Sequence, residues 1–130
     1  MRFLDVDSGA GDVSLLLADP VGPDGQVVGA DLRGAAVDHA HTRVAARGLA
    51  NVTFVHGDPT ELVFDRPFDA VAGRYVRQSI NIQAAALRNL ATRVRPGGVV
   101  VFHENEWDAL TPQPCSPTYE MIARWAVPAI

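Results

Sequence analysis

"FLDVDSGAGDVSLLLA", residues 3–18, decides how this chain folds. An apolar run from Phe3 to Val6 enters a tight turn holding Gly9 and Gly11 and leaves at once as a helix from Asp12 to Ala18. Strand, glycine turn and helix in that succession carry backbone N–H groups close to a small ligand. Asp7 stands where such a turn would ordinarily place its first glycine.

Outward from this unit the pattern repeats. Asp19-Pro20 and Gly22-Pro23-Asp24-Gly25 break the helix, and Gln26 to Ala30 forms a second apolar strand ending at Asp31. Helical spacing returns over Gly34 to Arg47, with Gly48 as its C-terminal cap. Strands follow at Val52–His56 and Phe68–Ala72. A helix is predicted over Ile82–Val94, stopped by Pro96-Gly97-Gly98, then a strand over Val99–Phe102. Pro112, Pro114 and Pro117 mark a loop before a last amphipathic helix, Thr118 to Val127. Nearly all-apolar strands alternating with helices predict an α/β fold: a doubly wound, Rossmann-like parallel sheet of about five strands in one domain, residues 1–130.

Composition narrows the function. The 130 residues are 48% hydrophobic and 20% charged, with a net charge of −4. A globular core is affordable, and no chain-wide basic field favours nucleic acid or an anionic membrane. Cys115 is the single cysteine, so no internal disulfide forms, and no Cys/His spacing suggests a metal site. No apolar run approaches the roughly 20 residues of a membrane span. These features predict a soluble cytoplasmic domain.

In a parallel sheet the ligand lies beyond the carboxyl ends of the strands. Four groups fall there: Asp5-Val6-Asp7-Ser8-Gly9-Ala10-Gly11, then Asp31-Leu32, then Gly57-Asp58, then Gly73-Arg74-Tyr75. For an adenosine ligand each has a task. The glycines admit backbone contact and Asp31 holds ribose hydroxyls. Asp58 accepts from an adenine amino group, and Leu32 packs on the ring. The competing structural roles are a cap of the Gly34 helix for Asp31 and a cap of the turn Pro59 to Leu62 for Asp58. A pyrophosphate fits poorly, because Asp5, Asp7 and Asp12 put negative charge at the turn, and that trio predicts a ligand bearing positive charge. His103 and Glu104 end the fifth strand within reach of a general-base role, and Arg74 either orients an anionic group or pairs with an aspartate. His39 and His41, two apart on a helix, are too poorly aligned for a shared metal, and Trp107 and Trp125 read as packing or interface residues rather than a substrate cage.

Taken together, "FLDVDSGAGDVSLLLA", "GADL", "VTFVHGDPTEL", "FDAVAGRYV" and "RVRPGGVVVF" resemble, in order and spacing, the class I S-adenosylmethionine-dependent methyltransferases over residues 3 to about 104. The resemblance implies S-adenosylmethionine as cofactor, held by Asp5, Asp7, Gly9, Gly11, Asp31, Leu32, Asp58 and Gly73. Arg74, Tyr75 and His103 become the candidates nearest the transferred methyl. The family pattern at the turn is acidic-x-Gly-x-Gly-x-Gly, from which Asp7 departs. At about 5 Å from the cofactor carboxylate and an effective dielectric of about 20, its charge opposes binding by roughly 3 kcal/mol. The cofactor ammonium recovers part of that. An inactive partner subunit, and the fold reused for another reaction, stand beside methyl transfer as readings.

Against the family, the chain reads as lacking the helices before the first strand and the last two strands. The fifth strand, "VVVFHE", then becomes an apolar edge, which predicts a homodimer covering residues 99–104 and the helix 118–130.

Overall fold

The computed structural model describes residues 1–76, 84–105 and 116–126. The readings of Trp107, Cys115 and the Trp125 side chain fall outside these, as do residues 82–83 and 127–130 at the ends of two predicted helices. The described elements run β1 (Arg2–Val6), α1 (Asp12–Val21), β2 (Gln26–Asp31), α2 (Gly34–Arg47), β3 (Val52–His56), β4 (Phe68–Arg74), α3 (Ala84–Thr92), β5 (Val94–His103) and α4 (Pro117–Ala126). The strands form one sheet in the order β3-β2-β1-β4-β5, and every pairing is parallel. Strand order reverses beside β1, where β4 follows β3 in sequence but crosses to the opposite side. Ligands of open α/β sheets bind at such a reversal.

Alternation along β1 divides the core. Phe3 packs with Val27, Val37, Ala40 and Phe54 on the face covered by α1 and α2. Leu4 and Val6 pack with Val28, Val71 and Leu90 on the face covered by α3. All five residues of β1 are buried, as a central strand requires. At the strand's start Arg2 is also buried. Its guanidinium lies over the Phe68 ring at 4.3 Å, bonds the Arg66 carbonyl and pairs with Asp65 at 2.7 Å.

Two predicted stops are overridden. Pro20 lies inside α1 rather than ending it, and the helix closes at Gly22, where φ is +78° and the N–H donates to the Asp19 carbonyl. A proline in the last turn removes one helical N–H, and the carbonyl four residues back belongs to Leu16, whose side is 75% exposed. Pro96-Gly97-Gly98 lies within β5, which begins at Val94 rather than Val99. Phe68 pairs with Val94 and Ala70 with Val99, so three extra residues bulge from β5. Gly97 takes φ +77°, and a Cβ on Gly98 would stand 2.3 Å from Val94 Cγ1. The third helix correspondingly ends at Thr92. β4 extends beyond the predicted Ala72 to Arg74.

Candidate functional site

Beyond the carboxyl end of β1 the chain makes three left-handed steps in five residues: Asp7 at φ +56°, Gly9 at +54° and Gly11 at +85°. Asp7 therefore holds the conformation that a glycine would supply, one that Asp tolerates better than most residues. Gly11 ends the turn as the residue before α1, and its N–H donates to the Ser8 carbonyl at 2.9 Å. A Cβ there would stand 2.5 Å from Phe54 Cζ. Gly9 is different: its outer side is open, and a Cβ would meet only the far end of Arg33, at 3.8 Å. The turn keeps the shape that lets a ligand approach the backbone.

A cleft of about 120 Å³ lies at the turn, bounded by Asp5, Asp7, Gly9 and Asp12 on one side and by Arg74 and Tyr75 on the other. It sits between β1 and β4, at the reversal of strand order. Asp5 is buried and its Oδ2 accepts from Ser14 Oγ at 2.6 Å. Burial pushes its carboxyl up to about 6, against the opposing pull of the Ser14 bond. Tyr75 is held at φ +61°, its N–H donating to the His103 carbonyl at 2.9 Å and its ring 5.4 Å from that of His103. Glu104 Oε1 accepts from the Val76 N–H at 2.9 Å, tying the ends of β4 and β5 together.

The acidic trio does not present bare negative charge. Arg43 bonds both Asp12 and the Ala10 carbonyl at 2.7 Å, and Arg74 approaches Asp12 at 3.9 Å. Arg33 reaches Asp7 at 4.0 Å. These three arginines, none of which neighbours the turn in sequence, offset part of the negative charge that predicts a positively charged ligand. Of the two roles open to Arg74, pairing with an aspartate is the one observed.

Asp31 is fully buried at the end of β2. Its Oδ2 accepts from the Gly9 N–H at 2.7 Å and its Oδ1 from the Arg33 N–H at 2.8 Å, so it fixes the glycine turn from behind. Burial raises its carboxyl, but the bonds from Arg33 and Gly9 outweigh that and hold it below the usual carboxylate range. Leu32 is half exposed beside it, and its carbonyl meets His56 Nε2 at 3.0 Å. Asp58 caps its own turn: Oδ1 accepts from the Thr60 N–H at 2.8 Å and hydroxyl at 2.7 Å. Neither Asp31 nor Asp58 bounds the cleft. Gly73 is a packing glycine, since a Cβ would stand 2.3 Å from Val76 Cγ2 and 2.8 Å from the Phe102 ring.

Sequence reasoning missed Arg33, Arg43 and Ser14. One signal was available for Arg33. It precedes α2 at the N-cap, where Ser, Thr, Asp or Asn is favoured, and it makes no side-chain cap. Its side chain turns back on Asp31 instead.

Residues 3–98 match the family described as methyltransferase domain. The chain belongs to that family. This methyltransferase-family chain is 34% identical over 110 residues to the demethylmenaquinone methyltransferase of Geobacillus kaustophilus, covering 84% of the chain and 47% of the relative. The chain spans about half the length of the curated relatives it matches. A methyltransferase of Thiobacillus denitrificans, solved with S-adenosyl-L-homocysteine, superposes with a TM-score of 0.64 at 29% identity, over 77% of this chain and 40% of that one. The [4+2]-cyclase SpnF superposes with a TM-score of 0.66 at 28% identity, over 77% and 37%. Among the described residues no helix is long and apolar enough to cross a membrane.

Proposed function

We propose that the chain carries the cofactor half of an S-adenosylmethionine-dependent methyltransferase acting on a small-molecule acceptor. The observation that carries this reading is the turn itself. With Asp7 in the left-handed conformation and the outer side of Gly9 open, the substitution at the first glycine leaves the backbone path intact. The methionine end of the cofactor is assigned to Gly9, Gly11, Asp5 and Asp7, the ribose to Asp31, and the adenine to Leu32 and Asp58. Gly73 serves this site by letting Val76 and Phe102 pack close to the switch point.

S-adenosylmethionine supplies a methyl group already activated on a sulfonium, so the side chains need only align the acceptor and exclude water. Tyr75 and Arg74, on the β4 side of the cleft, are the positioning candidates. His103 acts through Tyr75, whose ring lies 5.4 Å from its own at a tilt of 40°. Demethylmenaquinone, named for the Geobacillus relative, is the first acceptor to try.

Calorimetry is expected to give a Kd for S-adenosylhomocysteine on the order of ten micromolar, about −7 kcal/mol. Asp7→Gly is expected to tighten it by about tenfold at most, because Arg33 already faces Asp7. Binding by Asp7→Gly alone would instead support an inactive partner subunit. Absence of binding by both would overturn the reading. A second reading, the fold reused for another reaction, is favoured by the likeness to SpnF. Cofactor binding without methyl transfer to any acceptor is the result that would select it.

A homodimer is part of the proposal. Val99 and Val101 are 57% and 56% exposed and Val100 38%, so both faces of β5 carry uncovered apolar side chains, as does α4 at Met121 and Ile122. Such an edge is a template for a second chain. Light scattering at tens of micromolar is expected to give twice the 13.9 kDa chain mass, and Val101→Lys the monomer. A monomeric parent chain would overturn it. A cytoplasmic setting is proposed on the single cysteine.

A further inference from the structure

The Asp31 carboxylate has its hydrogen-bonding capacity filled from within the chain. A carboxylate offers about four acceptor positions. Two are taken by short backbone bonds, from the Gly9 N–H at 2.7 Å and the Arg33 N–H at 2.8 Å. The other two are taken by the Arg33 guanidinium, whose Nε lies 3.2 Å from Oδ1 and whose Nη2 lies 3.4 Å from Oδ2. The backbone pair builds the turn, whereas the guanidinium pair is longer and its side chain is 65% exposed. A fork of two N–H groups on one carboxylate has the donor pattern of two adjacent hydroxyls.

We propose that Arg33 is an internal ligand of Asp31, holding the two acceptor positions that a ribose diol would use, so that a nucleoside binds this site by displacing the guanidinium. The proposal rests on the cofactor reading above and adds to it a residue that sets nucleoside affinity. Position supports it. Arg33 stands at the N-cap of α2 yet makes no cap there, and its side chain is committed to Asp31. When displaced, the guanidinium has Asp7 beside it, 4.0 Å away in the structure, so it moves toward a second carboxylate rather than into bulk water alone. This keeps the displacement small in cost. It also neutralises Asp7 most fully when the site is filled, offsetting the opposition between that carboxylate and the cofactor's own.

Adenosine and 2′-deoxyadenosine, titrated by calorimetry into the wild type, Arg33→Ala and Arg33→Lys, test this at fixed ionic strength, with thermal melts to confirm folding. Adenosine is expected to bind both variants about threefold to tenfold more tightly than the wild type, the strength of an exposed ion pair. 2′-Deoxyadenosine, which lacks the diol, is expected to bind all three chains about equally. The lysine variant keeps a cation beside Asp7 without the fork. If it binds adenosine as the wild type does while alanine binds more tightly, charge rather than the fork is responsible and the proposal falls. Equal or weaker adenosine binding by Arg33→Ala also overturns it. If adenosine and S-adenosylhomocysteine bind none of the chains, the cofactor reading fails and takes this inference with it. If S-adenosylhomocysteine binds while adenosine affinity ignores Arg33, only this inference fails.

Discussion

Gly11→Ala is expected to cost the fold about 3 kcal/mol or more, a large part of the roughly 5–15 kcal/mol that holds a domain together. Two penalties add. The backbone is held at φ +85°, where any residue with a Cβ loses about 1–2 kcal/mol. The new methyl would also stand 2.5 Å from Phe54 Cζ and 3.1 Å from Cε1, inside the core face that α1 and α2 cover. Phe54 has little room to retreat. On its other side the ring fills the space beside Gly29, where a Cβ would come within 2.4 Å of it. Gly48→Ala is the control, left-handed like Gly11 at φ +63° with nothing within 4 Å of its Cβ, and is expected to lose only the backbone part, about 1 kcal/mol. Urea unfolding of both variants checks the difference. Repeating Gly11→Ala in a Phe54→Leu background should reduce its cost, since the colliding ring is gone. Equal losses for Gly11→Ala and Gly48→Ala would show that the turn, and not the ring behind it, sets the requirement for glycine.

That steric fit explains what the sequence could and could not reveal. The glycine turn, the strand alternation and the strand-end placement of Asp31 are periodic or local features, and they led directly to the sheet and its switch point. Pro20 and the Pro96-Gly97-Gly98 run misled because breaker residues state a local preference, whereas helix exposure and pairing with β4 are decided by tertiary contact. The site was legible in its carboxylates and illegible in its cations. Arg33 and Arg43 come from the start and middle of α2, and Arg74 from the end of β4, so their meeting with Asp7, Asp31 and Asp12 is a product of topology. Asp58 shows the reverse limit. Its position permitted two roles, and a threonine two residues on supplies the bonds of the local one. Burial of Asp5 against Ser14 likewise depends on α1 folding back over β1, which spacing does not specify.

Asp5→Asn is expected to gain stability and lose ligand affinity together. The Asp5 carboxyl is raised from 3.8 to about 6 by burial, so the folded chain binds its proton more tightly than the unfolded chain does. Its contribution to stability is therefore fully present below about pH 4 and is lost as the pH climbs through about 6. Two pH units correspond to about 3 kcal/mol. Asparagine cannot ionise and still offers an oxygen to the Ser14 hydroxyl, so its advantage over aspartate should grow by about that amount between pH 4 and pH 8. Comparing the variant with the parent at each pH removes the opposite drift from Asp12, Asp31, Asp65 and Asp69, whose carboxyls are all lowered and so favour the fold as pH rises. Urea melts at pH 4, 6 and 8 measure it, and parallel curves for the two chains would mean that Asp5 ionises as an ordinary exposed aspartate. Under the proposed function, the compensating use of a buried charge that weakens its own fold is ligand binding in the cleft that Asp5 lines. At pH 8 the variant should bind S-adenosylhomocysteine at least about tenfold more weakly, the loss of one charge-assisted contact. If it is more stable and binds equally well, the charge on Asp5 serves neither the fold nor the ligand.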